Sequence, residues 1–165
     1  MTIEHVAAHR TVVLDGCDGA GKSTFATVLV DRHRFAAVHS PRTPDHQDVM
    51  SRYRDLLARP GRLVLDRCFL SELVYGPLYR GHSRLSWSQV LDLAQLVEYR
   101  GGIFLHVTAP STTLRHRLQL RDGRAPGMHE ITELYRAYQR AFATLSHYAP
   151  VLTYDTSTRP LSTGG

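Results

Sequence analysis

Residues 11–24, TVVLDGCDGAGKST, constrain the fold more than any other stretch of the chain. The β-branched apolar run at 11–15 predicts a strand, GCDGAGKS at 16–23 matches the spacing GxxxxGK[ST], and KSTFATVLVDRHR at 22–34 carries apolar residues at helical spacing. A tight glycine turn between strand and helix is the plainer alternative. The order strand, glycine-rich loop, helix favours an anion cradle instead, because glycines let backbone N–H groups curl around a phosphate and the helix N-terminus adds free donors. Gly16, Gly19, Ala20, Gly21, Lys22, Ser23 and Thr24 are therefore the candidate phosphate ligands. Lys22 is aimed at the β- and γ-phosphates of a nucleoside triphosphate, with the Ser23 hydroxyl on Mg²⁺.

Composition sharpens one position. Lys22 is the only lysine in a chain that holds nineteen arginines. A slim ammonium slips between phosphate oxygens where a planar guanidinium is too wide, so a steric requirement against arginine accounts for the exception. The net charge of +5 otherwise comes almost entirely from arginine, which permits a phosphorylated ligand or a nucleic acid without choosing between them. No lysine-rich or basic-aromatic stripe favours the nucleic acid. No run approaches the roughly 18 apolar residues of a membrane span, and MTIEHVAAHR has no apolar leader segment, so a cytoplasmic protein without membrane contact is expected. Cys17 and Cys68 form neither a disulfide framework nor a zinc spacing, and are expected to be buried thiols. The ten histidines are scattered, with no HxH or HExxH pattern.

Along the rest of the chain, FAAVHS is a second short apolar stretch, DVMSRYRDLLA predicts a helix closed by Pro60-Gly61, and residues 62–66, RLVLD, predict a third strand. FLSELVYGPLYRG predicts a helix broken near Gly76-Pro77. Ser86 to Tyr99 predicts a helix with Ser86 and Gln89 as a capping box. Residues 101–109 predict a strand, STTLRHRLQLR a helix after Pro110, Met128 to Tyr148 the longest helix, and VLTYD a fifth strand before a polar, mobile tail. Strands alternating with helices predict an α/β fold: a five-stranded parallel sheet in a three-layer αβα arrangement, one domain over 1–165.

Asp66 ends the third strand, where ligands collect in open parallel sheets, and an acid there can hold Mg²⁺ through water. Arg67 follows at once. Taken together, LDGCDGAGKST, the basic loop RTPD and DRCFLSELVYG resemble the thymidylate kinase family of P-loop nucleotide kinases, whose blocks run FEGxDGxGKST, REPG and DRYxxSxxAYQG. The resemblance covers three blocks in order over roughly the first half of the chain. It implies the P-loop NTPase fold, ATP and Mg²⁺ as cofactors, and a homodimer. It also implies that Asp18 lies by the acceptor sugar, that Arg42 and Arg67 clamp the acceptor phosphate, and that Phe69 to Tyr75 line the acceptor pocket. Bidentate arginine on phosphate is the physical reason for the clamp.

Three positions depart from the family. Asp15 stands for its glutamate, Gly76 for its glutamine, and Glu72 adds an acid to the acceptor helix. Loss of the glutamine removes a means of recognising thymine. Asp15 and Asp18 are expected to face the acceptor. Glu72 is open between binding a sugar hydroxyl or base N–H and pairing with an arginine.

In RHRLQLRDGRAPG, Arg115, Arg117, Arg121 and Arg124 approach or enter a segment between two helices, where kinases of this class close a lid. A lid near 117–127 is expected, with Arg117 and Arg124 on the donor phosphates and Arg121 neutralising charge on the transferring group. A solvated basic helix face is the bland alternative. Tyr135, Tyr138 and Phe142, at spacings of three and four, are expected in the core rather than stacked on a base, and Trp87 is expected to be structural. The residues TST after VLTYD stand where such folds often form an adenine pocket, by analogy of fold.

The expected function is ATP-dependent phosphoryl transfer to a (deoxy)nucleoside monophosphate. Three alternatives stay open: a nucleoside, modified nucleotide or other small hydroxylated metabolite with Asp15 or Glu72 as base, a polynucleotide end, and a nucleotide-binding switch. The last lacks an NKxD base-recognition sequence.

Overall fold

The computed structural model describes residues 2–39 and 43–158. Its sheet grows from short apolar runs: β1 (Thr11–Asp15), β2 (Ala36–His39), β3 (Leu63–Asp66), β4 (Gly102–Thr108) and β5 (Val151–Asp155). They pair in the order β2-β3-β1-β4-β5, every pair parallel. Strands β1 and β3 are buried at every position, and β4 at all but its last, so alternate side chains meet cover on both faces. That continuous apolar character marks a parallel sheet flanked by helices.

The helices are α1 (Ile3–Ala7), α2 (Lys22–His33), α3 (Val49–Leu57), α4 (Leu70–Arg80), α5 (Trp87–Tyr99), α6 (Ser111–Asp122) and α7 (Met128–Leu145). The capping box at α5 forms: the Gln89 N–H donates to Ser86 Oγ at 3.2 Å and the Ser86 N–H to Gln89 Oε1 at 2.9 Å. Helix α7 buries Ile131, Leu134, Tyr138, Ala141, Phe142 and Leu145 along one stripe, which places the expected aromatic residues Tyr138 and Phe142 in the core.

Two expectations about elements need correction. Helix α4 runs unbroken through Gly76-Pro77. An interior proline forfeits one amide hydrogen bond and crowds the preceding turn, but Leu70, Val74 and Gly76 are buried along the same helix and their packing holds it together. Helix α1 has no counterpart among the predicted elements; Thr2 caps it by accepting from the His5 N–H at 3.3 Å, and Val6 and Ala7 anchor it in the core.

The amino-terminal edge of the sheet is held by two arginines. Arg62 donates to the carbonyls of His33, Ala7 and His9 and lies over the Phe35 ring, while Arg100 donates to Thr11 Oγ1 and to the carbonyls of Leu57 and Gly61. Those guanidiniums satisfy backbone acceptors where loops converge. The opposite, carboxyl edge of β1, β3, β4 and β5 carries the candidate site.

Candidate functional site

The phosphate loop leaves β1 through Gly16, whose φ is +146°. A Cβ there would lie 2.0 Å from the Val107 carbonyl oxygen, so only glycine lets the loop pass this close to β4. Gly21 then opens α2, and Lys22 stands at its first turn, nearly buried. Its ammonium donates to the Gly16 carbonyl at 2.7 Å and the Cys17 carbonyl at 2.8 Å, with an Asp18 carboxylate oxygen at 3.8 Å. Burial pulls the Lys22 pKa below its ordinary value, against the opposing pull of Asp15 and Asp18.

Ser23 donates through Oγ to Asp66 Oδ2 at 2.7 Å, joining α2 to the end of β3. Among the described residues no group of three or more His, Cys, Asp or Glu side chains is arranged for a metal. The Ser23–Asp66 oxygen pair, open to the cleft beside Lys22, fits a magnesium ion, which keeps several waters and takes phosphate oxygens rather than a full protein cage. His39 was not singled out in the sequence; it stands at the end of β2 with Nδ1 3.7 Å from Asp66 Oδ2 and lines the same cleft.

Arg67 adopts φ +76°, a conformation uncommon for residues that carry a Cβ. Its N–H donates to the Leu14 carbonyl at 3.1 Å and its guanidinium pairs with the Asp18 carboxylate. The turn thus folds Arg67 back over the phosphate loop, joining the two residues expected at the acceptor. A left-handed non-glycine residue at such a place is typical of functional strain.

Two clefts open on this edge. One, about 710 Å³, is lined by Gly19, Gly21 to Thr24, Asp66, Arg67, Arg117 and Thr156. The other, about 720 Å³, lies between α4 and the α6–α7 segment and is lined by Tyr75, Tyr79, Arg124, Pro126, Glu130 and Leu134. Asp18 and Arg121 line both.

The remaining candidates divide between the clefts and the core. Arg117 is in the phosphate-loop cleft, donating to the Gly19 carbonyl at 3.2 Å, to Thr156 Oγ1 at 2.7 Å and to the Thr156 carbonyl at 3.2 Å. Thr156, the first residue of the expected TST pocket, also donates to the Ala20 carbonyl at 2.9 Å. Arg121 is held fork to fork by Asp122, both contacts at 2.7 Å. Arg124, expected on the donor phosphates, lines the second cleft instead, because it lies beyond the end of α6, where the chain has turned toward α7.

Tyr75 lines that second cleft, stacked on Tyr79 with ring centres 5.6 Å apart. Tyr79 donates to Glu130 at 2.6 Å, bridging α4 and α7, and burial together with Glu130 pushes its hydroxyl up to about 12.

The expectations that place Phe69 and Asp15 at the acceptor are corrected, and Glu72 takes the second of the two roles left open for it. Phe69 lines neither cleft: it is fully buried, edge-on to Tyr53 and Phe104. Glu72 pairs with Arg80 and Arg84. Burial would raise its carboxyl, but the hydrogen bonds from Arg84 and Arg80 outweigh that and hold it below the ordinary value. Asp15 faces the core rather than the acceptor, with Cys68, Ser71 and Tyr138 against its carboxylate. Cys17 and Cys68 are both buried free thiols, as expected. Arg42 lies outside the described residues, as does the tail from 159 onward.

The backbone packs closely against Gly76. A Cβ at Gly76 would lie 2.7 Å from the His82 carbonyl and 2.9 Å from Ser83 Cα, so a side chain enters here only if the 82–83 backbone moves away.

No protein-family model and no curated protein matches the sequence. Solved structures do share the fold. The YorR protein of Bacillus subtilis, crystallised in complex with phosphorylated GDP, superposes with a TM-score of 0.79 over 91% of this chain and 88% of its own, at 17% identity. A deoxyadenosine kinase from M. mycoides with bound dCTP gives 0.56 over 91% of this chain and 92% of its own, at 14% identity. A gluconokinase from Sinorhizobium meliloti 1021 gives 0.58 over 92% of this chain and 85% of its own, at 16% identity. At such identities the likeness establishes the α/β fold with its five-stranded parallel sheet.

Proposed function

We propose that the chain is a phosphotransferase that moves the γ-phosphoryl group of Mg-ATP to the phosphate of a (deoxy)nucleoside monophosphate. The observation that carries this reading is the meeting of two clefts of nearly equal size at Asp18 and Arg121, one walled by the phosphate loop and the other by α4 and α7. In-line transfer needs a donor and an acceptor that approach one point from opposite sides. The kinases that share the fold support phosphoryl transfer as the chemistry, without bearing on the choice of acceptor.

In this reading the loop amides and Lys22 hold the donor phosphates, and Arg117 with Thr156 flanks the nucleoside end of the donor. Ser23 and Asp66 would hold Mg²⁺, which would supply charge neutralisation on the donor phosphates. Lys22 leaves its two carbonyl partners to meet the phosphates. Arg67 leaves Asp18 for the acceptor phosphate, assisted by Arg42, and frees the Asp18 carboxylate to accept from the acceptor sugar hydroxyl. Arg121, exchanging Asp122 for the transferring group, spreads the charge that develops there. Arg124 serves the acceptor cleft rather than the donor, and Tyr75 walls the acceptor.

The choice of a phosphate over a hydroxyl acceptor rests on the resemblance of the three motif blocks, and the two acids weighed as bases for a hydroxyl do not oppose it. A hydroxyl must lose a proton to a base, whereas a phosphate oxygen is already ionised. Both bases considered for a hydroxyl acceptor are engaged, Glu72 by two arginines and Asp15 inside the core. A thymidylate kinase-like layout remains, but the close packing at Gly76 argues against thymine reading by a side chain at that position.

The test is ADP release from Mg-ATP with a panel of deoxynucleoside monophosphates, nucleosides and a DNA oligomer. Turnover with one or more monophosphates and none with nucleosides is expected. Turnover with nucleosides alone, with the oligomer alone or with nothing in the panel would overturn the assignment.

A further inference from the structure

The Asp15 carboxylate is fully buried and surrounded by donors. On Oδ1 converge the Gly16 N–H at 2.9 Å, the Tyr138 hydroxyl at 3.0 Å and the Ser71 hydroxyl at 3.1 Å. On Oδ2 converge the Cys68 N–H at 3.3 Å, the Cys68 thiol at 3.2 Å, the Ser71 N–H at 3.1 Å and the same Ser71 hydroxyl at 3.0 Å. Six donor groups thus address a carboxylate that offers about four lone-pair sites, which leaves none for a substrate proton.

The donors come from four places: the first residue of the phosphate loop, the turn after Arg67, the first turn of α4, and the middle of α7. Tyr138 carries the connection further. Its ring meets Tyr75, a wall of the acceptor cleft, edge to face at 6.2 Å, and lies over His106 of β4 at 6.4 Å. Its hydroxyl is also 3.2 Å from Ser71 Oγ.

From this we infer that Asp15 and Tyr138 are positioning residues, a buried strut that sets the phosphate loop in register with Arg67 and the acceptor wall. The inference builds on the two-cleft reading above but makes its own claim about the loop. Rotating the Gly16 amide by removal of its acceptor frees the loop at its root, and the same loss loosens the turn that aims Arg67. Transfer depends on reacting atoms held close to their productive geometry, so a small misplacement costs turnover more than binding.

The experiment uses Tyr138→Phe, which keeps the ring and its packing and removes one donor, with Asp15→Asn as a stronger perturbation. Hydrogen exchange of the backbone amides is followed at 16–22, 67–71 and, for reference, 91–97 within α5. In Tyr138→Phe the first two segments are expected to exchange about tenfold faster while the reference stays within about twofold. Steady-state kinetics on the same sample are expected to give kcat about ten- to thirtyfold lower, with KM for Mg-ATP and for the monophosphate each within about threefold. Unchanged protection at 16–22 and 67–71, or a uniform rise over all three segments, overturns the inference. So does wild-type kcat in the folded variant. The exchange measurement needs no substrate, so it decides the strut even if the wild-type protein turns over none of the monophosphates, a result that defeats only the proposed function.

Discussion

The two clefts have nearly the same volume and are built in opposite ways. The phosphate-loop cleft takes half of its lining from one short segment, residues 16–24, placed largely through backbone: Lys22 donates to two carbonyls and Gly16 passes tight against Val107, while Ser23 reaches the Asp66 side chain. The second cleft is assembled from side chains of α4, α6 and α7, which meet only in the folded chain and hold one another, as Tyr79 does Glu130. The first resists substitution because its geometry is backbone; the second can change its ligand by changing side chains. Damage to the first should therefore stop all transfer, and damage to the second should alter which acceptor is used and how well.

The most severe test of that contrast is Lys22→Arg. The ammonium sits among carbonyls 2.7 and 2.8 Å away in a nearly closed space, and a guanidinium cannot enter it without displacing the loop. We expect the variant to fold, with a thermal midpoint within a few degrees of wild type, and to lose about a thousandfold or more in kcat, which corresponds to about 4 kcal/mol. Single-turnover assays with every active monophosphate should show the same loss. A loss confined to one acceptor would show that the clefts are not independent in the way described.

Much of the phosphate-loop cleft was legible because its signals are local. GxxxxGK[ST] after an apolar run places a loop and a helix start within a dozen residues, and Asp66 at the end of a third strand follows from parallel topology. The second cleft was less legible because sequence spacing does not say which face a neighbouring helix covers. Asp15 belongs to the loop motif, yet α7 covers its side, and Tyr138 lies 123 residues away in the chain. Phe69 belongs to the DRCFLSELVYG block, but the turn at Arg67 aims it at Tyr53 and Phe104. Arg117 and Arg124 looked equivalent on composition, and the end of α6 between them sends them to different clefts. His39 carried no signal at all, since a lone histidine at a strand end has no motif.

A second test acts beneath the donor side. His106 lies on β4 beside Asp15, stacked on Phe142 with ring centres 4.4 Å apart and almost fully buried. Burial, with a smaller contribution from Lys22, pulls its pKa from 6.5 to about 4. Between those values the unfolded chain binds a proton that the folded chain does not, so stability falls as pH drops through that window and levels off below about 4. The full effect is roughly 3 kcal/mol. Urea unfolding from about pH 7 down to about pH 4.5 should follow this slope, and His106→Phe, which keeps an aromatic ring against Phe142, should flatten it. Parallel curves for the two proteins would assign the acid sensitivity elsewhere.

The mildest test acts on the acceptor side alone. Gly76 packs against the backbone of His82 and Ser83, and the next residue, Arg84, donates to the carbonyls of Thr43 at 2.9 Å and Pro44 at 3.2 Å while pairing with Glu72. The loop that follows Arg42 is thus tied to α4 through Arg84, and the position of that tie depends on how closely residues 82–83 approach α4. Gly76→Ala gains helix propensity of about 1 kcal/mol but must push the 82–83 backbone away by several tenths of an ångström, for a net loss of about 1–2 kcal/mol. Displacing Arg84 moves the Thr43–Pro44 carbonyls with it. KM for the monophosphate should rise about five- to tenfold while KM for Mg-ATP stays within about twofold, because the atoms nearest a Cβ at Gly76 belong to residues 80–83. An equal rise in both constants would show that α4 transmits to the donor loop as well. In that case the Ser71 contact to Asp15 is the route, since it is the hydrogen-bonded link from α4 to the root of that loop.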